Sequence, residues 1–164
     1  MIGQMRTLLK VKDLKQEQAL RELQRRRSAL AEAEARRTLA QEEEAESRRT
    51  LDAREDAIYA GIIGRVVNLD VIDDTKGSAE KLRRGHGILQ DVCERAVHVE
   101  VRMRDETERQ GEIYRAALRV RDKYTILTER MTAEQEAERA YAEESEIEEL
   151  FARARPGPGS RGRP

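Results

Sequence analysis

The first 155 residues contain no proline, and this most constrains the fold. All three prolines (Pro156, Pro158 and Pro164) lie in the last nine of 164 positions. A run that long, rich in Ala, Glu, Arg and Leu, favours continuous helix, because proline is the residue that most strongly interrupts one. Composition narrows the choice further. Charged residues make up 40% of the chain, aromatics 3%, and tryptophan is absent. Such a chain is either disordered or built from long helices that share a narrow apolar seam. Disordered chains usually carry a large net charge. Here 32 basic residues face 33 acidic ones, which favours helices.

A seven-residue repeat locates the seam, since an apolar residue every 3.5 positions keeps one stripe on one side of a helix. The first half reads Ile2, Leu9, Gln16, Leu23, Leu30, Arg37, Glu44, Leu51 and Ile58. Its companion row is Met5, Lys12, Ala19, Arg26, Ala33, Ala40, Ser47 and Arg54. The second half has Val92, Val99, Glu106, Ile113, Val120 and Leu127, interleaved with Leu82, Leu89, Ala96, Met103, Gln110, Ala117, Tyr124 and Met131. Between the halves, Gly61 and Gly64 weaken helix. Asn68 suits a helix N-cap, and Asp70, Asp73 and Asp74 favour the positive end of a new helix. Aligned antiparallel, Leu9 faces Leu127, Leu23 faces Ile113, Arg26 faces Gln110, Ala33 faces Met103 and Ala40 faces Ala96. Each pair of numbers adds to about 136, which places the turn near residue 68, where the capping residues also place it. Glu44 against Val92 and Arg37 against Val99 match poorly, so a loose middle is expected.

The expected fold is therefore all-α, a long antiparallel two-helix coiled-coil hairpin over residues 1–151. Helix 1 spans about 2–64, the turn about 65–69 and helix 2 about 70–151, followed by a disordered tail over 152–164. The longer second helix should overhang the first. That overhang, residues 134–151, is acidic but carries Tyr141, Ile147, Leu150 and Phe151 at helical spacing, and an unpaired apolar stripe calls for a partner. Ile62, Val66 and Leu69 in the turn form a second candidate contact.

No motif supports catalysis, so a non-enzymatic protein is expected, with no small-molecule substrate. KGSAEK and RRGHG lack the pattern of a phosphate-binding loop. His86 and His98 lie twelve residues apart, about 18 Å along one helix, too far to share a metal. They read as half-exposed surface histidines, and no metal or cofactor is expected. Cys93, the single cysteine, reads either as a packed thiol or as a reactive one. The cluster Arg21, Arg25, Arg26 and Arg27 reads as salt-bridged surface or as a basic contact site. The balanced charge argues against nucleic acid. No segment is apolar enough for a leader or a membrane span, which implies a cytoplasmic protein.

Three stretches resemble the YscO family of type III secretion systems. They are the opening LLKVKDLKQEQALRELQRRRSALAEAEA, the centre IYAGIIGRVVNLDVID, and the segment IYRAALRVRDKYTILTERM. The resemblance covers about residues 5–150. It departs from the family before the centre, where RRTLDARED stands in place of a Trp-Arg-Pro-like element. The resemblance implies a central-stalk or escort protein, similar to the flagellar FliJ proteins. Such a protein would bind the hexameric secretion ATPase, link it to the export gate protein at the cytosolic face of the apparatus, and also bind secretion chaperones. The alternatives are a self-associating structural coiled coil, or a nucleic-acid-associated one resting on the basic cluster alone.

Overall fold

The computed structural model describes residues 1–154. It consists of two helices, α1 (Ile2–Ala60) and α2 (Leu69–Ala154), packed as an antiparallel hairpin. Residues 155–164, most of the expected tail, lie outside the described residues.

Helix α1 ends four residues earlier than the repeat suggested. After Ala60 the backbone tightens: Ile62 N–H and Ile63 N–H both donate to the Tyr59 carbonyl, at 3.0 and 3.2 Å. Gly64 then adopts φ 75°, a left-handed conformation that a side chain disfavours. The apolar residues at 62 and 63 carried the repeat past the true end. Helix α2 begins where its cap was expected. Asn68 Oδ1 accepts from Val71 N–H at 3.2 Å, and the Asn68 carbonyl accepts from Ile72 N–H at 3.4 Å. The side-chain bond satisfies one of the amides that a helix start leaves without a partner. At its other end α2 runs to Ala154, three residues past the expected stop.

The described chain divides into two compact units. In the unit Ala19–Tyr114, every buried residue of α1 falls on the expected stripe: Ala19, Leu23, Ala33, Ala40 and Glu44. Here Arg26 pairs with Glu106, Arg37 with Glu100 and Glu34 with Arg104. In the other unit, Met1–Gln18 lies with residues 115–154. Asp13 approaches Arg121 at 3.9 Å, and Lys12 Nζ sits 5.2 Å from the Tyr124 ring centre. These pairs add to about 135, so the register is the expected one, with no slip of a whole heptad.

Half of the α2 seam differs from the expectation. Leu82, Leu89, Ala96, Met103, Gln110, Ala117, Tyr124 and Met131 are half-buried as expected. Their companions, however, are not Val92, Val99, Ile113, Val120 and Leu127, which are all exposed. The seam instead uses the residue after each: Ala79 at an earlier turn, then His86, Cys93, Glu100, Thr107, Tyr114, Arg121 and Thr128. Ala79, Glu100 and Thr128 are buried, and the others half-buried.

The cause is polar. Glu100, 3% exposed, accepts from Arg37 at 2.9 Å and from Arg104 at 2.5 Å. The Thr107 hydroxyl shares its proton between the carbonyls of Met103 (2.7 Å) and Arg26 (3.2 Å). Gln110 Nε2 donates to the Ala19 carbonyl across the helices at 3.2 Å. Ser47 Oγ and His86 Nδ1 are hydrogen-bonded at 3.0 Å, while His86 Nε2 lies 3.9 Å from Glu44. Interhelical hydrogen bonds thus replace apolar contacts along this row, and buried polar groups require such partners. Three expectations change as a result. Arg26 meets Glu106 rather than Gln110, and Arg37 meets Glu100 rather than Val99. His86 is a seam residue and not a half-exposed surface histidine; His98 is exposed. The middle contains a bonded polar layer where a loose match was expected.

Candidate protein-docking surfaces

The longest exposed stretch is the C-terminal part of α2. From Ala133 to Arg153 every residue except Ser145 is exposed. Tyr141, Ile147, Leu150 and Phe151 are among them, with Tyr141 and Phe151 each 74% exposed. The helix there is helical by sequence: Ala and Glu dominate residues 134–150 and proline is absent. Eight glutamates and one arginine stand within 134–151, so the apolar side chains project from a strongly acidic helix.

The turn supplies a second surface, in the other unit. Val66 and Leu69 are exposed, as a docking role requires, but Ile62 is half-buried. Its neighbour Ile63, 73% exposed, is the one that projects. The sequence cluster was correct in place and wrong in which isoleucine faces outward, because the tight turn after Ala60 rotates this pair off the helical phase.

A third surface was not anticipated. Placing Val92 and Val99 in the seam concealed the fact that they stand outside it. With Leu39 of α1 they wall an open groove of about 350 Å³ whose floor is Ala33, Ala40 and Ala96. The only sequence signal for it was the run of small residues at seam positions, which lets the flanking side chains stand above the floor.

Electrostatics elsewhere look like ordinary surface pairing. Arg25 and Arg26 of the basic cluster are both engaged by Glu22, and Arg26 also by Glu106. Across the helices near the turn, Glu55 binds Arg83 and raises its guanidinium pKa, first through the hydrogen bond and then through charge. Among the described residues no group of three or more His, Cys, Asp or Glu side chains is placed to hold a metal ion. No described helix is long and apolar enough to cross a membrane. Cys93 is a free, half-buried thiol in the seam row.

Comparison with known proteins agrees with this architecture. No curated protein matches the chain. Among solved structures, the 2.8 Å crystal structure of type III secretion protein YscO from Vibrio parahaemolyticus is similar. It is 20% identical, the match covers 90% of this chain and 93% of that one, and the TM-score is 0.81. At that identity the likeness establishes the two-helix fold. The family described as type III secretion protein YscO matches residues 5–153, nearly the whole described chain, and this protein therefore belongs to the YscO family of type III secretion proteins.

Proposed function

We propose that this chain is the central-stalk or escort protein of its secretion apparatus, a non-enzymatic part that binds the hexameric secretion ATPase and links it to the export gate protein at the cytosolic face. The observation that carries this reading is the exposed apolar set Tyr141, Ile147, Leu150 and Phe151 on a helix with no intramolecular cover. Side chains of that size cost solvation when left in water, and their clustering marks a contact surface. Their acidic surroundings suit a contact that forms and releases, since charged rims steer association and respond to salt.

The turn residues Val66 and Leu69, with half-buried Ile62 beside them, form the second proposed contact, facing the gate. Secretion chaperones are a further partner class under this reading. Membership of a secretion family supports protein partners in general, and the two exposed sets name where on this chain they would bind.

The test is a pull-down and hydrolysis assay with the cognate ATPase. The wild-type chain should form a complex and change hydrolysis or ring assembly. Ile147→Glu with Phe151→Glu should abolish both effects and leave the helical content intact. A complex that survives the double substitution would remove the 134–151 segment from the contact. No complex with wild type would end the stalk reading.

A further inference from the structure

The groove of the Ala19–Tyr114 unit has a charged border that no part of this unit answers. Along one face of α2, residues 92, 95, 99, 102, 106, 109 and 113 follow at alternating steps of three and four, the spacing of neighbours on one helix side. They read Val, Arg, Val, Arg, Glu, Arg, Ile. Val92, Val99 and Ile113 are exposed. Arg95, Arg102 and Arg109 are exposed too, and none has a carboxylate partner among the described residues; Arg95 donates only to the Asp91 carbonyl. Elsewhere in the unit, arginines at the helix contact are paired: Arg26 with Glu106, Arg37 and Arg104 with Glu100, Arg83 with Glu55. Glu106, the one acid in the row, is already engaged by Arg26 at 2.6 Å. Leu39 walls the groove from α1, and Glu43 and Arg36 complete its lining.

An apolar groove beside three unanswered arginines fits a helix with an apolar stripe and glutamates at its flanks. This chain contains such a helix at 134–151. Its length, about 27 Å at 1.5 Å per residue, is close to the roughly 32 Å between Val92 and Ile113. The groove and the segment belong to one continuous helix, α2, which cannot fold onto itself. We propose that the Leu39–Val92–Val99 groove and its arginine row bind the acidic 134–151 helix of a second copy of this chain. The contact goes beyond the stalk reading and does not rest on it. Where both hold, a copy engaged in this way has its ATPase-facing segment covered.

A fluorescently labelled peptide of residues 134–151, titrated with the full chain and read by anisotropy, tests the contact. Saturable binding is expected. It should weaken at least tenfold for Val99→Glu and for Arg102→Glu, and fall as salt rises from about 50 to 300 mM. Both positions are exposed, and unchanged circular dichroism would show that the variants fold. In parallel, sedimentation of the full chain should show a mass rising above 18.8 kDa with concentration, and not for the same variants. Absence of saturable binding, or binding that both variants retain, overturns the proposal. So does equal binding by a scrambled peptide of the same composition, which would reduce the effect to charge alone. If an unrelated acidic amphipathic peptide binds as tightly, the assignment to a second copy is overturned. A chain that stays monomeric at all concentrations overturns it as well.

Discussion

Glu100 is the most demanding residue in the seam, and its replacement gives the sharpest stability prediction. Its carboxylate is almost wholly buried and held by two arginines, at 2.9 and 2.5 Å, that are themselves 39% and 52% exposed in their side chains. The pairing is asymmetric. If Glu100 is removed, both arginines can turn into water. If Arg37 is removed, the carboxylate stays buried with half of its support gone. Losing one charged hydrogen bond to a buried acceptor costs about 2 kcal/mol. For a chain of this size that lowers Tm by roughly 4–8 °C. Replacing the acid by leucine removes the desolvation cost and adds apolar burial, an exchange that is neutral or stabilising by about 1–4 kcal/mol in comparable buried pairs. Arg37→Leu should therefore melt several degrees below wild type, while Glu100→Leu should melt at or above it. Thermal circular dichroism at 222 nm reads both. If Arg37→Leu melts within about a degree of wild type and Glu100→Leu melts below it, the assignment of a buried, doubly bound carboxylate is wrong.

Three other substitutions probe the turn and the seam. Asn68→Ala removes the cap bond to Val71 N–H and should cost about 1 kcal/mol by chemical denaturation; no change would mean the helix start is frayed. Gly64→Ala forces a side chain into φ 75° and should cost about 1–2 kcal/mol. Gly61→Ala, whose added carbon meets only the Ile58 carbonyl at 3.6 Å, should stay within about 0.5 kcal/mol of wild type; equal effects at both glycines would contradict the turn geometry. Val99→Ala on the exposed flank should change stability by less than about 0.5 kcal/mol, and half-buried Leu89→Ala should cost at least about 2 kcal/mol. The reverse order would restore the valine row to the seam.

How far the sequence reveals this molecule depends on which physical signal each part uses. The α1 stripe was legible because Leu23 and three alanines at heptad spacing leave no competing face. Asn68 was legible because capping is local chemistry. The α2 seam was half legible. Two candidate rows flank Leu89, Ala96 and Met103, one apolar (Val92, Val99, Ile113) and one polar (Glu100, Thr107, Arg121), and an apolar count favours the first. The protein uses the second, because its polar groups meet Arg37, the Arg26 carbonyl and Asp13 across the helices. Such matches exist only once register is known, so no periodicity on one helix can show them. For the docking surfaces, Tyr141 and Phe151 were evident from spacing alone. The Leu39–Val92–Val99 groove was hidden behind the misplaced row.

The central claim is that α1 folds back along α2 within one molecule, in the register set by Arg26–Glu106 and Arg37–Glu100. Spin labels at exposed positions 27 and 108, in a Cys93→Ala background and diluted with unlabelled protein, test it directly by electron–electron distance. Adjacent helices about 10 Å apart, with the label arms added, place the two within roughly 25 Å of each other. A distance near 120 Å, the span of 81 residues in one unbroken helix, or a short distance that vanishes on dilution, would contradict the hairpin.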